Sequence, residues 1–192
     1  MIVLILGLVI FLGVHSVRIF GENWRSGMVR RLGDGSWKGI YALVSAVGLV
    51  LIVWGYGLSR LDPVILWSPP IWTRHLAILL NLLAFILFAA FLLPAGKIKA
   101  RLRHPMLLSI KVWAVAHLIA NGTLADVVLF GSFLVWAILD FRAARQRDRA
   151  MGTVRMAGPP RNDALAVVVG AVIWAALVWR VHLWIIGVSP LA

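Results

Sequence analysis

The chain has 192 residues, of which 62% are hydrophobic and only 14% are charged, whereas soluble domains are about 45–50% apolar and about 25% charged. It carries 19 Lys and Arg against 7 Asp and Glu, and it has no Cys. These values indicate an integral membrane protein, and they exclude disulfides, thiolate catalysis and Cys-ligated metal centres.

Apolar stretches of nearly 20 residues, the length that crosses a bilayer, recur along the chain. We predict six transmembrane helices, at about 2–19, 39–58, 76–93, 105–120, 124–141 and 164–187. No positive segment precedes the first stretch and no small-residue cleavage site follows it, so we predict a retained helix rather than a signal peptide. The predicted fold class is an all-α polytopic bundle forming one transmembrane domain over residues 1–192, with a basic loop at 142–163.

The basic residues are distributed unevenly among the connections between these helices. Fifteen Lys and Arg residues lie in the first, third and fifth connections, and two lie in the second. Because cytoplasmic loops carry the excess of positive charge, we predict that both termini face outward. Short basic clusters between apolar runs are typical of a membrane protein, so we expect the lipid bilayer as partner and no nucleic acid.

Two of the five histidines lie within apolar helices, where an ionisable residue is by default a functional candidate. His15 occurs in GVHS and His117 in AVAHLIANG, with Trp113 one turn before His117. Imidazoles on two separate helices can hold the iron of haem b from both axial sides. The alternative is that each ring only makes a hydrogen bond within the bundle.

The other histidines are expected near the ends of helices, where a structural role competes with a functional one. His75 opens the third predicted helix and is an alternative ligand to His15, because its expected depth matches that of His117. His104 precedes Pro105 beside Arg103, where both side chains could pair with haem propionates or with anionic lipid. For His182, beside Trp184, we favour an interfacial structural role.

The sequence blocks combine into a family resemblance. WKGIYALVSAVGLVLIVWGY, WTRHLAILLNLLAFILFAA, IKARLRHPMLLSIKVWAVAHLIANG and LFGSFLVWAILD resemble the NnrU family of bacterial membrane proteins, mainly over residues 1–141. This family also includes the plant and cyanobacterial zeta-carotene isomerase, a haem b enzyme. The resemblance implies a bacterial inner-membrane protein with haem ligands at His15 and His117 and a further important histidine at His75.

One position departs from the isomerase pattern. The isomerase has Cys three residues before the histidine that matches His117, where this chain has Ala114. A thiolate that exchanges with imidazole at the iron is therefore missing. The resemblance implies cis–trans isomerisation of a carotenoid as the activity, and this departure argues against a ligand switch of the isomerase type.

Three alternatives stay open at the level of sequence. NnrU proteins take their name from gene clusters of denitrification and nitric oxide metabolism, which implies a haem protein that handles nitric oxide. RLRHPMLLS also resembles the Arg-His-Pro motif of membrane methyltransferases, in which the residues matching Arg103 and His104 help bind S-adenosylmethionine, but the carboxylate pair of those enzymes is absent. A scaffold without cofactor is the third alternative, and its preparation would be colourless.

Overall fold

The computed structural model describes residues 1–191, and over that range the regular structure is helical, apart from one isolated antiparallel bridge between Ile65 and Thr123. This confirms the predicted all-α class. The elements in chain order are α1 (Ile2–Phe20), α2 (Glu22–Leu32), α3 (Asp34–Ser59), α4 (Ile71–Leu92), α5 (Lys97–Leu102), α6 (Pro105–Ala120), α7 (Leu124–Ala150), α8 (Pro160–Ala176), a π-helical turn (Leu177–Val181) and α9 (His182–Ile186).

Five helical segments of the described chain are long and apolar enough to cross a membrane: α1, α3, α4, α7 and the segment Pro160–Ile186. The protein is therefore a multi-pass membrane protein. The remaining predicted span, α6, has the predicted bounds but only 16 residues. At 1.5 Å per residue it extends about 24 Å, less than the roughly 30 Å hydrocarbon core.

The chain forms two compact units, and neither is contiguous in sequence. The first contains residues 1–67 and 122–143, and the second contains residues 68–121 and 144–192. The prediction of one transmembrane domain over residues 1–192 stays a prediction.

In the first unit, α1 and α3 pack with their backbones almost in contact. A Cβ atom on Gly7 would lie 2.6 Å from the backbone nitrogen of Ile52, and one on Gly55 would lie 2.6 Å from the Cα atom of Leu4. Only glycine permits such close approach, as is common between membrane helices. Leu4 is fully buried at this contact.

In the second unit, α8 packs against α4 through small residues and is bonded to the start of α5 through a side-chain carboxylate. Ala89 and Ala90 of α4 form a buried cluster with Ala166 of α8. The carboxylate of Asp163 accepts hydrogen bonds from the backbone N–H groups of Lys97 and Ile98, at 2.8 and 2.9 Å, and so satisfies the start of α5.

The connections differ from prediction in two places. The first basic connection contains α2, whose polar composition gave no transmembrane signal. The basic segment 142–163 was predicted to be a loop, but α7 continues as helix to Ala150 and α8 begins at Pro160. Arg and Ala are strong helix formers, so the helix extends beyond the apolar stretch that defined the predicted span.

Candidate functional site

His15 lies in the last third of α1, half-buried among aromatic rings of the first unit. Its Nδ1–H donates a 2.6 Å hydrogen bond to the carbonyl oxygen of Phe11, one turn earlier. The Phe11 ring stacks on the imidazole with centroids 4.2 Å apart, and the rings of Tyr41 and Trp136 lie at 5.1 and 6.0 Å. With the proton on Nδ1, a neutral His15 carries its lone pair on Nε2.

His117 of the second unit has the same local geometry. Its Nδ1–H donates a 2.8 Å hydrogen bond to the carbonyl oxygen of Trp113, and the two rings lie 5.2 Å apart. The predicted end of this helix is confirmed: α6 stops at Ala120, and the Asn121 side-chain amide donates a 2.9 Å hydrogen bond to the His117 carbonyl oxygen. Ala114 is fully buried one turn before His117.

The two interfacial histidines differ from this pattern. His75 is exposed near the start of α4. His182 donates from Nδ1 a 2.7 Å hydrogen bond to the Val188 carbonyl oxygen, beyond the end of α9. This bond gives His182 a structural role at the end of the last helix.

Arg103 and His104 surround a buried carboxylate that the sequence did not single out. Asp148, on the helical extension of α7, lies 3.0 Å from His104 Nε2, 3.4 Å from Arg155 Nη2 and 3.9 Å from Arg103 Nη1. Its side chain is only 6% exposed. A lone acid within the arginine run RQRDRA is the sequence signal that could have identified it.

The backbone at Arg103 is strained. Its φ of 65° and ψ of −47°, with the His104 N–H donating to the Leu102 carbonyl oxygen at 2.7 Å, form a γ-turn that residues other than glycine rarely adopt. The turn holds Arg103 and His104 against Asp148. Because the pair already shares this carboxylate, we do not propose that it binds S-adenosylmethionine.

Asp148 is expected to stabilise the second unit. Changing Asp148→Ala would leave Arg103, His104 and Arg155 without their common carboxylate, and we expect the free energy of unfolding in detergent to fall by about 2 kcal/mol. The exposed Asp62 provides the matched control, since Asp62→Ala should leave the free energy of unfolding unchanged. Equal unfolding transitions for both variants would contradict a stabilising role for this cluster.

Another buried carboxylate, that of Asp126 in the first unit, is satisfied by hydrogen bonds at the start of α7. It accepts hydrogen bonds from the N–H and hydroxyl of Thr123 and from the Tyr56 hydroxyl, at 3.1, 2.6 and 2.6 Å. The Asp126 N–H donates in return to the Thr123 hydroxyl. This reciprocal arrangement is a capping box at the start of α7, which the spacing Thr-x-x-Asp signals.

The structure divides the predicted site residues between the two units. His15 belongs to the first unit, and His75, Arg103, His104, Trp113 and His117 belong to the second. Within residues 1–191, no group of three or more His, Asp or Glu side chains lies close enough to hold a metal ion. A haem iron needs only two axial ligands from the protein, because the porphyrin supplies the other four.

A family model described as "NnrU protein" matches residues 3–190. The chain belongs to the NnrU family. The match extends through the last helix, so the NnrU region is longer than the resemblance over residues 1–141 indicated. No curated protein and no solved structure matches this NnrU chain.

Proposed function

We propose that this NnrU protein binds haem b in the bacterial cytoplasmic membrane, with His15 and His117 as the axial ligands. The supporting observation is the geometry that these two histidines share: each donates from Nδ1 to the carbonyl oxygen of the residue four positions earlier. Such a bond fixes the tautomer and the ring orientation, and it raises the basicity of the ligating Nε2 atom.

The surroundings of both rings also fit haem. Phe11 and Trp113 supply aromatic, apolar surfaces next to the two imidazoles, and such surfaces exclude water from an iron centre. The guanidinium of Arg103, whose side chain is 35% exposed, carries a positive charge that would suit a haem propionate. Bound haem would supply an iron that coordinates a double bond of a polyene or a small diatomic molecule.

For the reaction, we propose cis–trans isomerisation of a lipid-soluble polyene such as a carotenoid. The task of the protein in this reaction is to keep the imidazoles neutral and oriented and to admit an apolar substrate from the bilayer. Isomerisation changes the configuration of one double bond from cis to trans, without net oxidation. Incubating the reduced protein with a cis-polyene and following the isomers by chromatography would test the activity.

Nitric oxide binding is a second candidate, and Ala114 is the observation that favours it. A buried methyl group one turn before His117 provides no ligand that could replace an imidazole. Haem held by His15 and His117 would supply an iron that binds nitric oxide, and this binding would need no replacement ligand from the protein. A shift of the Soret band on adding nitric oxide, without isomerisation of the polyene, would favour this candidate.

The haem proposal is tested by the absorption spectrum of the protein purified in mild detergent. We expect a Soret band, resolved α and β bands after reduction, and about one haem per chain by pyridine haemochrome, as for a six-coordinate haem b. A protein that stays colourless after expression with a haem precursor would refute the proposal and favour the scaffold alternative.

We also propose that α6 crosses the membrane, which makes six crossings with both termini outside. The absence of Cys makes labelling decisive, because a single introduced Cys has no background. We expect a membrane-impermeant maleimide to label Leu191→Cys in intact cells and Val154→Cys only after permeabilisation. Both positions are well exposed, at 63% and 85%. Labelling of both variants in intact cells would contradict the proposed topology.

A further inference from the structure

The first unit contains a shallow pocket of about 440 Å³ between α1 and α7, next to His15, which is open over most of its surface. This volume lies within the range of small-molecule sites. Seven residues line the pocket: Leu12, Ser16, Gly131, Ser132, Val135, Trp136 and Leu139. The lining is mostly apolar, with the hydroxyl groups of the two serines as its polar groups.

The two serines in this lining lack the bonds that other serines in the unit's apolar helices make. Ser45 and Ser59 each donate a 2.7 Å hydrogen bond to a carbonyl oxygen of their own helix. The hydroxyls of Ser16 and Ser132 make no such bond to any residue between 1 and 191. In an apolar membrane environment, an unsatisfied polar group costs free energy.

Trp136 provides an independent observation in the same wall. The residue is 8% exposed, and its indole N–H has no acceptor among the described residues. Its ring also contacts the ring of His15, with the centroids 6.0 Å apart in an edge-to-face arrangement. The pocket thus contains two hydroxyl groups without partners, each able to donate a hydrogen bond, and its wall includes Trp136, whose indole N–H is buried.

We propose that this pocket binds a lipid-soluble small molecule that carries a hydrogen-bond-accepting oxygen, such as a ketone or quinone carbonyl. The apolar lining accommodates the carbon skeleton, and the donors of Ser16 and Ser132 bind the oxygen. A pure hydrocarbon would leave these donors unsatisfied, so the pocket selects oxygenated molecules. Binding at this site does not depend on haem. The ligand would contact Trp136, whose ring in turn contacts the ring of His15.

Photolabelling with benzophenone, itself a lipid-soluble ketone, tests the proposal in the full-length protein in nanodiscs. We expect labelling to concentrate on the peptides that contain residues 12–16 and 131–139. An excess of 9-fluorenone should suppress it, and fluorene should not, because fluorene has the same ring skeleton without the carbonyl. Equal suppression by both competitors would overturn the proposal, as would labelling spread evenly over all helices.

Serine variants separate hydrogen bonding from packing. Ser16→Ala with Ser132→Ala should weaken suppression by 9-fluorenone at least about fivefold, since hydrogen bonds of ordinary strength are lost. Ser45→Ala, which removes a hydroxyl bonded to its own helix, should have no effect. An unchanged response in the double variant would overturn the proposal. Haem content is measured in the same preparations, so that failure of this proposal can be distinguished from failure of the haem proposal.

Discussion

The His117→Ala variant is expected to lose its haem. The substitution removes the proposed ligand Nε2 together with the Nδ1–H bond to the Trp113 carbonyl oxygen. Disruption of the groups that merely orient a ligand weakens metal binding about 10- to 100-fold, so removal of the ligand itself should lower haem retention at least as far. We expect the Soret band to disappear or to change to that of a five-coordinate iron, with haem quantified by pyridine haemochrome.

His182→Ala is the matched control for this experiment. His182 is also a histidine of an apolar helix with a bonded Nδ1, but its partner is the Val188 carbonyl oxygen beyond the helix end. We expect full haem content in this variant and a loss in His15→Ala comparable to that in His117→Ala. Equal haem loss in His117→Ala and His182→Ala, or no loss in either, would refute the ligand assignment.

The Gly55→Ala variant is expected to unfold far more easily than the native protein. The added methyl group would overlap the backbone of Leu4 and would lie 2.7 Å from the carbonyl carbon of Val3. Backbone atoms cannot move aside as a side chain can, so α1 and α3 must separate. Overpacking of this kind costs about 1–3 kcal/mol and occasionally more, and we expect the free energy of unfolding to fall by about 3 kcal/mol.

Gly57→Ala separates packing from helix propensity. Both glycines lie in α3 and both gain the same helical preference when changed to alanine, but a Cβ on Gly57 would meet nothing within 4 Å. We therefore expect Gly57→Ala to unfold at the native midpoint or above it. Thermal unfolding in detergent, followed by circular dichroism, measures both variants, and coincident transitions for the two would contradict the packing argument.

Much of the fold was predictable, because hydrophobicity over about 20 residues is a strong signal. The apolar stretch 105–120 predicted both the start of α6 at Pro105 and its end before Asn121. The extension of α7 to Ala150 was not, since a polar helix and a polar loop have the same hydropathy. The approach of α1 to α3 also has no signal in composition, because isolated glycines such as Gly7 and Gly55 give no indication of their partners.

The candidate site was predictable as a set of residue types but not as a set of contacts. The proximity of Trp113 to His117 follows from helical spacing, and the structure confirms it. The packing of Trp136 against His15 joins positions 121 residues apart in the chain, which no local pattern can indicate. The unbonded hydroxyls of Ser16 and Ser132 were equally hidden, because whether a serine bonds to its own helix depends on its rotamer.

The close contact between α1 and α3 has a consequence for biogenesis. In chain order α1 and α3 precede the other long apolar helices of this sequence, and their glycine-mediated contact involves only residues up to position 59. The pair can form in the membrane while the rest of the chain is still being synthesised. The helix α7, which includes Ser132 and Trp136, then packs against the surface that α1 and α3 have already formed, and this packing completes the first unit.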